Sequence, residues 1–226
     1  VTESSRPEVS ARPTATQIYE SGLDHLLAST GDPSTFYAVD ETGSRRRLPL
    51  NRWLEEAPAD EELLLDRAVG PVLDIGCGAG RHLVALRNRS IDASGIEVSE
   101  LAVEIARRRD VNVIHGSVFD LSEAQGWKTA LLLDGNVGIG GEPRRLLSRT
   151  AELLAPGGHA LVEVEPPGEE TRVLDLRLEG LGDVSEWFPW AWVGVDGIDS
   201  VAAGTGLDVA EVWAIGERWF AQLSRA

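Results

Sequence analysis

The spacing of apolar positions changes character near residue 70. Before it, residues 15–29 (ATQIYESGLDHLLAS) place Ile18, Leu23, Leu26 and Leu27 at helical spacing around Gly22. Residues 36–50 (FYAVDETGSRRRLPL) read as two short extended runs about an Asp-Glu-Thr-Gly turn, a hairpin with Arg45, Arg46 and Arg47 on its return arm. A second helical stretch covers 60–68. From Gly70 onward, short apolar runs alternate with amphipathic ones. Strands are expected at 71–76, 93–98, 111–116, 129–135 and 159–165, and helices at 81–89, 99–109 and 142–158. Strands separated by helices or short connections predict a parallel sheet covered on both faces.

The last third is richer in strands. Residues 172–180 and 185–194 suit a hairpin, a short helix is expected near 197–203, and 207–216 with 218–225 form two arms about a Gly-Glu turn. The expected fold is an α/β Rossmann-like three-layer sandwich. Its mostly parallel seven-stranded sheet ends in an antiparallel hairpin, and an N-terminal helical and hairpin cap is added. The expected organisation is a disordered tail at 1–14, a cap segment at 15–69 and a ligand-binding domain at 70–226.

The 226 residues carry 21 Lys and Arg against 37 Asp and Glu, a net charge of −16. That charge is unevenly spread: residues 71–155 hold eleven acids and ten bases, whereas 156–226 hold thirteen acids and four bases. A polyanion would be repelled, so nucleic acid is an unfavourable partner. No apolar run is long enough to span a membrane and the first residues lack a secretory pattern. With Cys77 the single cysteine, no intramolecular disulfide or multi-cysteine metal site is expected. No metal ligand set is expected, and a reducing, cytoplasmic setting fits.

The most specific segment is Asp74-Ile-Gly76-Cys77-Gly78-Ala-Gly80, between a strand and a helix. Alternate glycines let the backbone turn sharply and a ligand approach closely. The free N–H groups at the next helix start suit a carboxylate or phosphate. The spacing is G-x-G-x-G with an acid two residues ahead, unlike the dinucleotide fingerprint. Asp74 would repel a pyrophosphate and attract an ammonium, so a ligand carrying both an ammonium and a carboxylate suits the loop.

LDIGCGAG resembles the first motif of class I S-adenosylmethionine-dependent methyltransferases, and LLAPGGHALVEVE resembles that family's Pro-Gly-Gly turn before its fifth strand. The resemblance covers about residues 70–165. It implies S-adenosylmethionine as cofactor and methyl transfer as the activity. Glu97, with Val98 beside it, falls where the family places an acid on the ribose hydroxyls. After the third strand the family often has an acid on the adenine amino group. This chain has Ser117-Val118-Phe119-Asp120, so Ser117 or Asp120 takes that part, with Val118 and Phe119 as apolar wall. Asp134, Gly135 and Asn136, at the end of the fourth strand, should lie beside the sulfonium and the acceptor. The Asp/Asn-Pro-Pro-aromatic motif of nucleic-acid amino methyltransferases is not present there. The implied acceptor is a small molecule, with protein or RNA, or binding without transfer, as alternatives.

Methyl transfer needs an aligned acceptor and a base only if the acceptor keeps its proton until attack. The candidates are His25 and Tyr19 in the N-terminal helix, and Asn136. Cys77 reads as backbone support. His82 either faces the cofactor or lies on the surface. WFPWAWVG at 187–194 either walls an acceptor pocket or packs a core. The glycines at 138–141 either serve the site or make a tight turn.

Overall fold

The computed structural model describes residues 11–28, 35–121 and 126–225. Residues 1–10 of the expected tail, and the end of the first expected helix at 29, lie outside the described residues. The principal sheet has seven strands, β3 (Val72–Ile75), β4 (Ala93–Glu97), β5 (Asn112–His115), β6 (Trp127–Leu132), β7 (Leu154–Val164), β11 (Leu207–Ile215) and β12 (Arg218–Arg225), in the order β11-β12-β7-β6-β3-β4-β5. The strands from β7 to β5 pair in parallel, and the β11–β12 hairpin adds antiparallel to β7. From β3 the chain builds outward through β4 and β5, then returns to β6 on the other side of β3. That reversal opens a crevice at the carboxyl ends of β3 and β6, where open α/β sheets bind ligands.

Period-two alternation sorts the strand residues between two cores. Leu73, Ile75, Ala130, Leu132, Ala160 and Val162 face one side, with Leu146, Leu147 and Ala151 of α6 (Pro143–Leu153) and Ile198 and Val201 of α7 (Ile198–Ala202). Val72, Leu131, Leu133 and Leu161 face the other, with Leu64 and Leu65 of α3 (Ala59–Leu65) and Ala85 and Leu86 of α4 (Arg81–Asn88). This is the expected three-layer arrangement. Helix α5 (Glu100–Arg108), capped by Ser99, packs with Leu23 of α1 (Ala15–Leu27) through Ala102 and Ile105. Helix α1 itself starts on a capping box in which Thr14 and Gln17 bond reciprocally.

The largest boundary differences from the sequence expectation fall between α6 and β7. Helix α6 stops at Leu153 rather than running to 158, and β7 begins at Leu154 rather than 159. Pro156 cannot continue a helix, and Leu154 pairs with Trp127 of β6. The five-residue helix α2 (Leu50–Leu54) is too short to show a periodic pattern.

A second sheet roofs the crevice. It runs β10-β8-β1-β2, joining β1 (Tyr37–Asp40) and β2 (Arg45–Arg47) to β8 (Arg172–Gly180) and β10 (Phe188–Trp192), with β9 (Asp183–Val184) on β8. Ala38 pairs with Leu178, and Trp190 with Leu174. Phe36, Leu50, Leu176 and Leu178 bury beneath it with Ile18 of α1. Gly180 is required there, since a Cβ would lie 2.1 Å from the Phe36 ring.

Candidate functional site

A cavity of about 650 Å³ lies between the strand ends and the roof. Its floor is the loop from β3 to α4. Gly76 and Gly78 have φ of +72° and +52°, conformations that disfavour side chains. A Cβ on Gly78 would meet only the Tyr19 hydroxyl, 3.2 Å away, so that face of the loop is open to a ligand. A Cβ on Gly76 would lie 2.7 Å from Asn136 Nδ2. Gly80 serves packing, lying against Ala106 and Val111 outside the cavity.

Glu97 ends β4 with its carboxylate turned into the loop. Oε2 accepts from Gly78 N at 3.0 Å, and Oε1 accepts from Val98 N and Ser99 N at 2.8 and 2.9 Å. Burial raises its pKa against the pull of these three donors. Cys77 is buried, and desolvation with the charges of Asp74 and Glu97 raises its thiol well above the usual range. It therefore stays protonated and is no nucleophile. Burial and the neighbouring Glu97 likewise raise Tyr19, keeping its hydroxyl neutral over the loop.

Of the residues picked out from sequence, Gly76, Cys77, Gly78, Glu97, Val98, Ser117, Val118, Asp134, Gly135, Asn136 and Tyr19 share the cavity wall. Besides Gly80, four others do not line it. Asp74 is buried behind the loop, Phe119 packs on the core beneath Arg145, Asp120 is exposed, and His25 sits in the last turn of α1 away from the cavity. Ser117 accepts from Phe119 N and so caps its own turn. Asn136 donates from Nδ2 to the carbonyls of Ile75 and Gly76, at 2.9 and 3.0 Å, tying the β6 loop to the glycine loop.

Sequence reasoning missed the charge network beneath this floor. Glu61 of α3, fully buried, accepts from Arg81 Nε at 2.7 Å, Arg52 Nη2 at 2.7 Å and Arg218 Nη1 at 2.9 Å. His82 bridges two acids, with Nε2 3.1 Å from Glu61 and Nδ1 3.3 Å from Asp74. Arg81 also reaches Asp134 at 2.6 Å, and Arg218 holds Glu163 through two bonds of 2.7 Å. Burial opposes the charge on His82, yet its bonds to Asp74 and Glu61 raise its pKa to about 9. Burial would raise Glu61, but His82 and Arg81 outweigh it and hold the carboxyl far below its ordinary value. His82 is thus neither a surface residue nor a free base. One signal was present: Arg81 opens a helix, where a cation opposes the dipole and needs acidic partners.

The roof is built differently. Phe188, Trp190 and Trp192 of β10 line the cavity, so the aromatic segment both walls the pocket and joins the cap core. Gly138 and Gly141 let it approach. A Cβ on Gly138 would lie 1.9 Å from the Ala191 carbonyl, and one on Gly141 2.9 Å from Pro189. Arg46 and Arg172 lie 4.3 and 4.6 Å from the Trp192 ring centroid, and Arg46 also pairs with Glu165 at 2.6 Å.

The sequence family described as a methyltransferase domain matches residues 72–158, which contain the glycine loop, Glu97 and Asn136. That stretch, from β3 through α6 to the start of β7, is thus similar in sequence to a methyltransferase domain. A dTDP-4-amino-2,3,4,6-tetradeoxy-D-glucose N,N-dimethyltransferase of Saccharopolyspora spinosa is 33% identical over 118 residues, covering 49% of this chain and 47% of the relative. The chain thus spans about half the length of this curated relative. The methyltransferase fold extends beyond the domain match. A methyltransferase of Bacteroides fragilis, solved with S-adenosylhomocysteine, superposes with a TM-score of 0.77 at 23% identity over 96% of this chain and 98% of the other. The 1,6-didemethyltoxoflavin-N1-methyltransferase of Burkholderia thailandensis gives 0.57 at 14% identity over 99% and 98%. No helix among the described residues is long and apolar enough to cross a membrane.

Proposed function

We propose that this protein transfers a methyl group from S-adenosylmethionine to a small-molecule acceptor held under the cap. The observation carrying this reading is the open face of Gly78 beside the Glu97 carboxylate, inside a cavity large enough for ligands of this class. The residues present fit the cofactor. The N–H groups of Gly76, Cys77, Gly78 and Gly80 already donate within the protein, so it is the start of α4 that suits its carboxylate, and Glu97 Oε2, with one donor on it, offers an acceptor for the ribose diol. Ser117 and Val118 border the side where the adenine would lie. When bound, the cofactor supplies an activated methyl on a sulfonium. Asn136 fixes the β6 loop against the glycine loop, which sets where an acceptor can approach, while the roof excludes water.

The curated relative and several solved neighbours named for small-molecule acceptors support such a substrate. The net charge of −16 argues against nucleic acid, and the lone cysteine agrees with a reducing, cytoplasmic setting. The test is calorimetric titration with S-adenosylhomocysteine, followed by a labelled-methyl screen over metabolite pools. Saturable binding and label on a small molecule are expected. Label on protein or RNA alone would move the assignment to the alternative acceptors.

A further inference from the structure

Among the described residues, four other than glycine have positive φ: Ser90, Asp110, Asp134 and Leu181. Ser90 and Asp110 follow the ends of α4 and α5, and their N–H groups bond to carbonyls three residues back. Asp134 alone of the four lines the cavity. With φ at +55° it opens the turn at the end of β6. Its N–H donates to a side chain from another strand, Glu163 Oε2 of β7, at 2.6 Å. Aspartate tolerates the left-handed region better than most residues but still at a cost, so it persists there when its surroundings hold it. Here the hold comes from three groups. Arg81 donates to Asp134 Oδ2 at 2.6 Å, Arg218 lies 3.6 Å from Oδ1, and Glu163 takes the N–H. Glu163 is itself fixed by Arg218, whose Nε and Nη2 each reach one of its oxygens at 2.7 Å. Both of these side chains are largely buried. Two residues past Asp134, Asn136 bonds to the Ile75 and Gly76 carbonyls, and its Nδ2 would lie 2.7 Å from a Gly76 Cβ. Turn and glycine loop therefore meet without slack.

Resting on the methyl-transfer reading above, we propose that Glu163 is a positioning residue for that site. Clamped by Arg218, it holds the Asp134 N–H and keeps the β6 turn in the form that seats Gly135 and Asn136 against the glycine loop. A carboxylate gives a backbone N–H a shorter and stronger bond than a neutral acceptor does. Without it the N–H loses its partner, and the left-handed turn becomes one conformation among several. A ligand that needs a fractionally populated form binds more weakly by that fraction. The C-terminal hairpin, which carries Arg218 on β12, is thereby part of the site as well as the end of the sheet.

The test combines amide hydrogen exchange, read by NMR on the full chain, with calorimetric titration by S-adenosylhomocysteine. In Glu163→Ala, protection at the Asp134 amide should fall roughly tenfold further than at Leu131, which lies buried in β6 between β3 and β7. S-adenosylhomocysteine affinity should also fall roughly tenfold, the scale of an unsupported left-handed residue. Glu163→Gln keeps an acceptor oxygen and should restore most of both. Arg218→Lys keeps the charge but breaks the two-bond grip, and should loosen the Asp134 amide in the same sense even if Glu163→Ala does not fold. Glu211→Ala breaks an exposed pair with Arg67 outside the cavity and should change neither reading. A merely structural role predicts equal losses of protection at Asp134 and Leu131. That result, unchanged S-adenosylhomocysteine affinity in Glu163→Ala, or no rescue by glutamine would overturn the inference. Failure of the wild type to bind S-adenosylhomocysteine would reject the cofactor reading and this inference with it, and is told apart because no variant is involved.

Discussion

The floor and the roof of one cavity are held by opposite means. The floor is a glycine loop over a lattice of buried charges, with Glu61, His82, Arg81 and Arg218 each making several bonds. The roof is a sheet of rings and aliphatic side chains, with Arg46 and Arg172 stacked on Trp192. Buried charge pairs fix geometry stringently, because losing one partner strands the other. Apolar walls fix shape and tolerate exchange of contents. The difference suits a site with one constant ligand below and a variable one above.

The sharpest way to break this comparison is at the floor's surface. Gly78→Val should abolish S-adenosylhomocysteine binding. It adds backbone strain of about 1–3 kcal/mol at φ +52° and fills the open face of the loop. Retained affinity in a calorimetric titration would show that the ligand lies elsewhere. Beneath the surface, Glu61→Gln should cost about 3–5 kcal/mol in a denaturant titration, since it strands buried Arg81 and His82. A loss under about 1 kcal/mol, the scale of an exposed ion pair, would show that the lattice contributes little.

The lattice also has a pH signature. His82 has its pKa raised from 6.5 to about 9, so its contribution is fully present below pH 6.5. That contribution is lost as pH rises through about 9, and amounts to about 3 kcal/mol at most. Wild-type stability should fall across that window, and His82→Gln should remove this part of the fall. The smallest effect belongs to the roof. Arg172→Ala, which removes one cation–π contact and leaves the Trp192 ring in place, should cost only about 0.5–1 kcal/mol and leave S-adenosylhomocysteine affinity unchanged. A large loss of cofactor affinity there would mean that the two halves are not separable.

What could be read from the sequence follows the same division. The glycine loop and Glu97 were legible because strand, turn and helix start lie within one local stretch, with the acid at the end of the next strand. The two roof hairpins were legible as hairpins, but their union was not. Ala38 finds Leu178 across 140 residues, and no local pattern encodes that pairing. Glu61 was invisible for a related reason. Its partners come from α2, α4 and β12, and each looks alone like an ordinary surface charge. Phe119 and Asp120 were placed near the ligand by analogy of position. The turn at Ser117 directs one onto the core and the other to solvent.

The most direct test of the central claim is one calorimetric titration of wild type and Glu97→Ala with S-adenosylhomocysteine. The account predicts saturable one-to-one binding by the wild type. It predicts affinity weaker by about 1.5–3 kcal/mol in the variant, the range for a hydrogen bond to a charged group. No binding by the wild type, or equal affinity in both proteins, would contradict it.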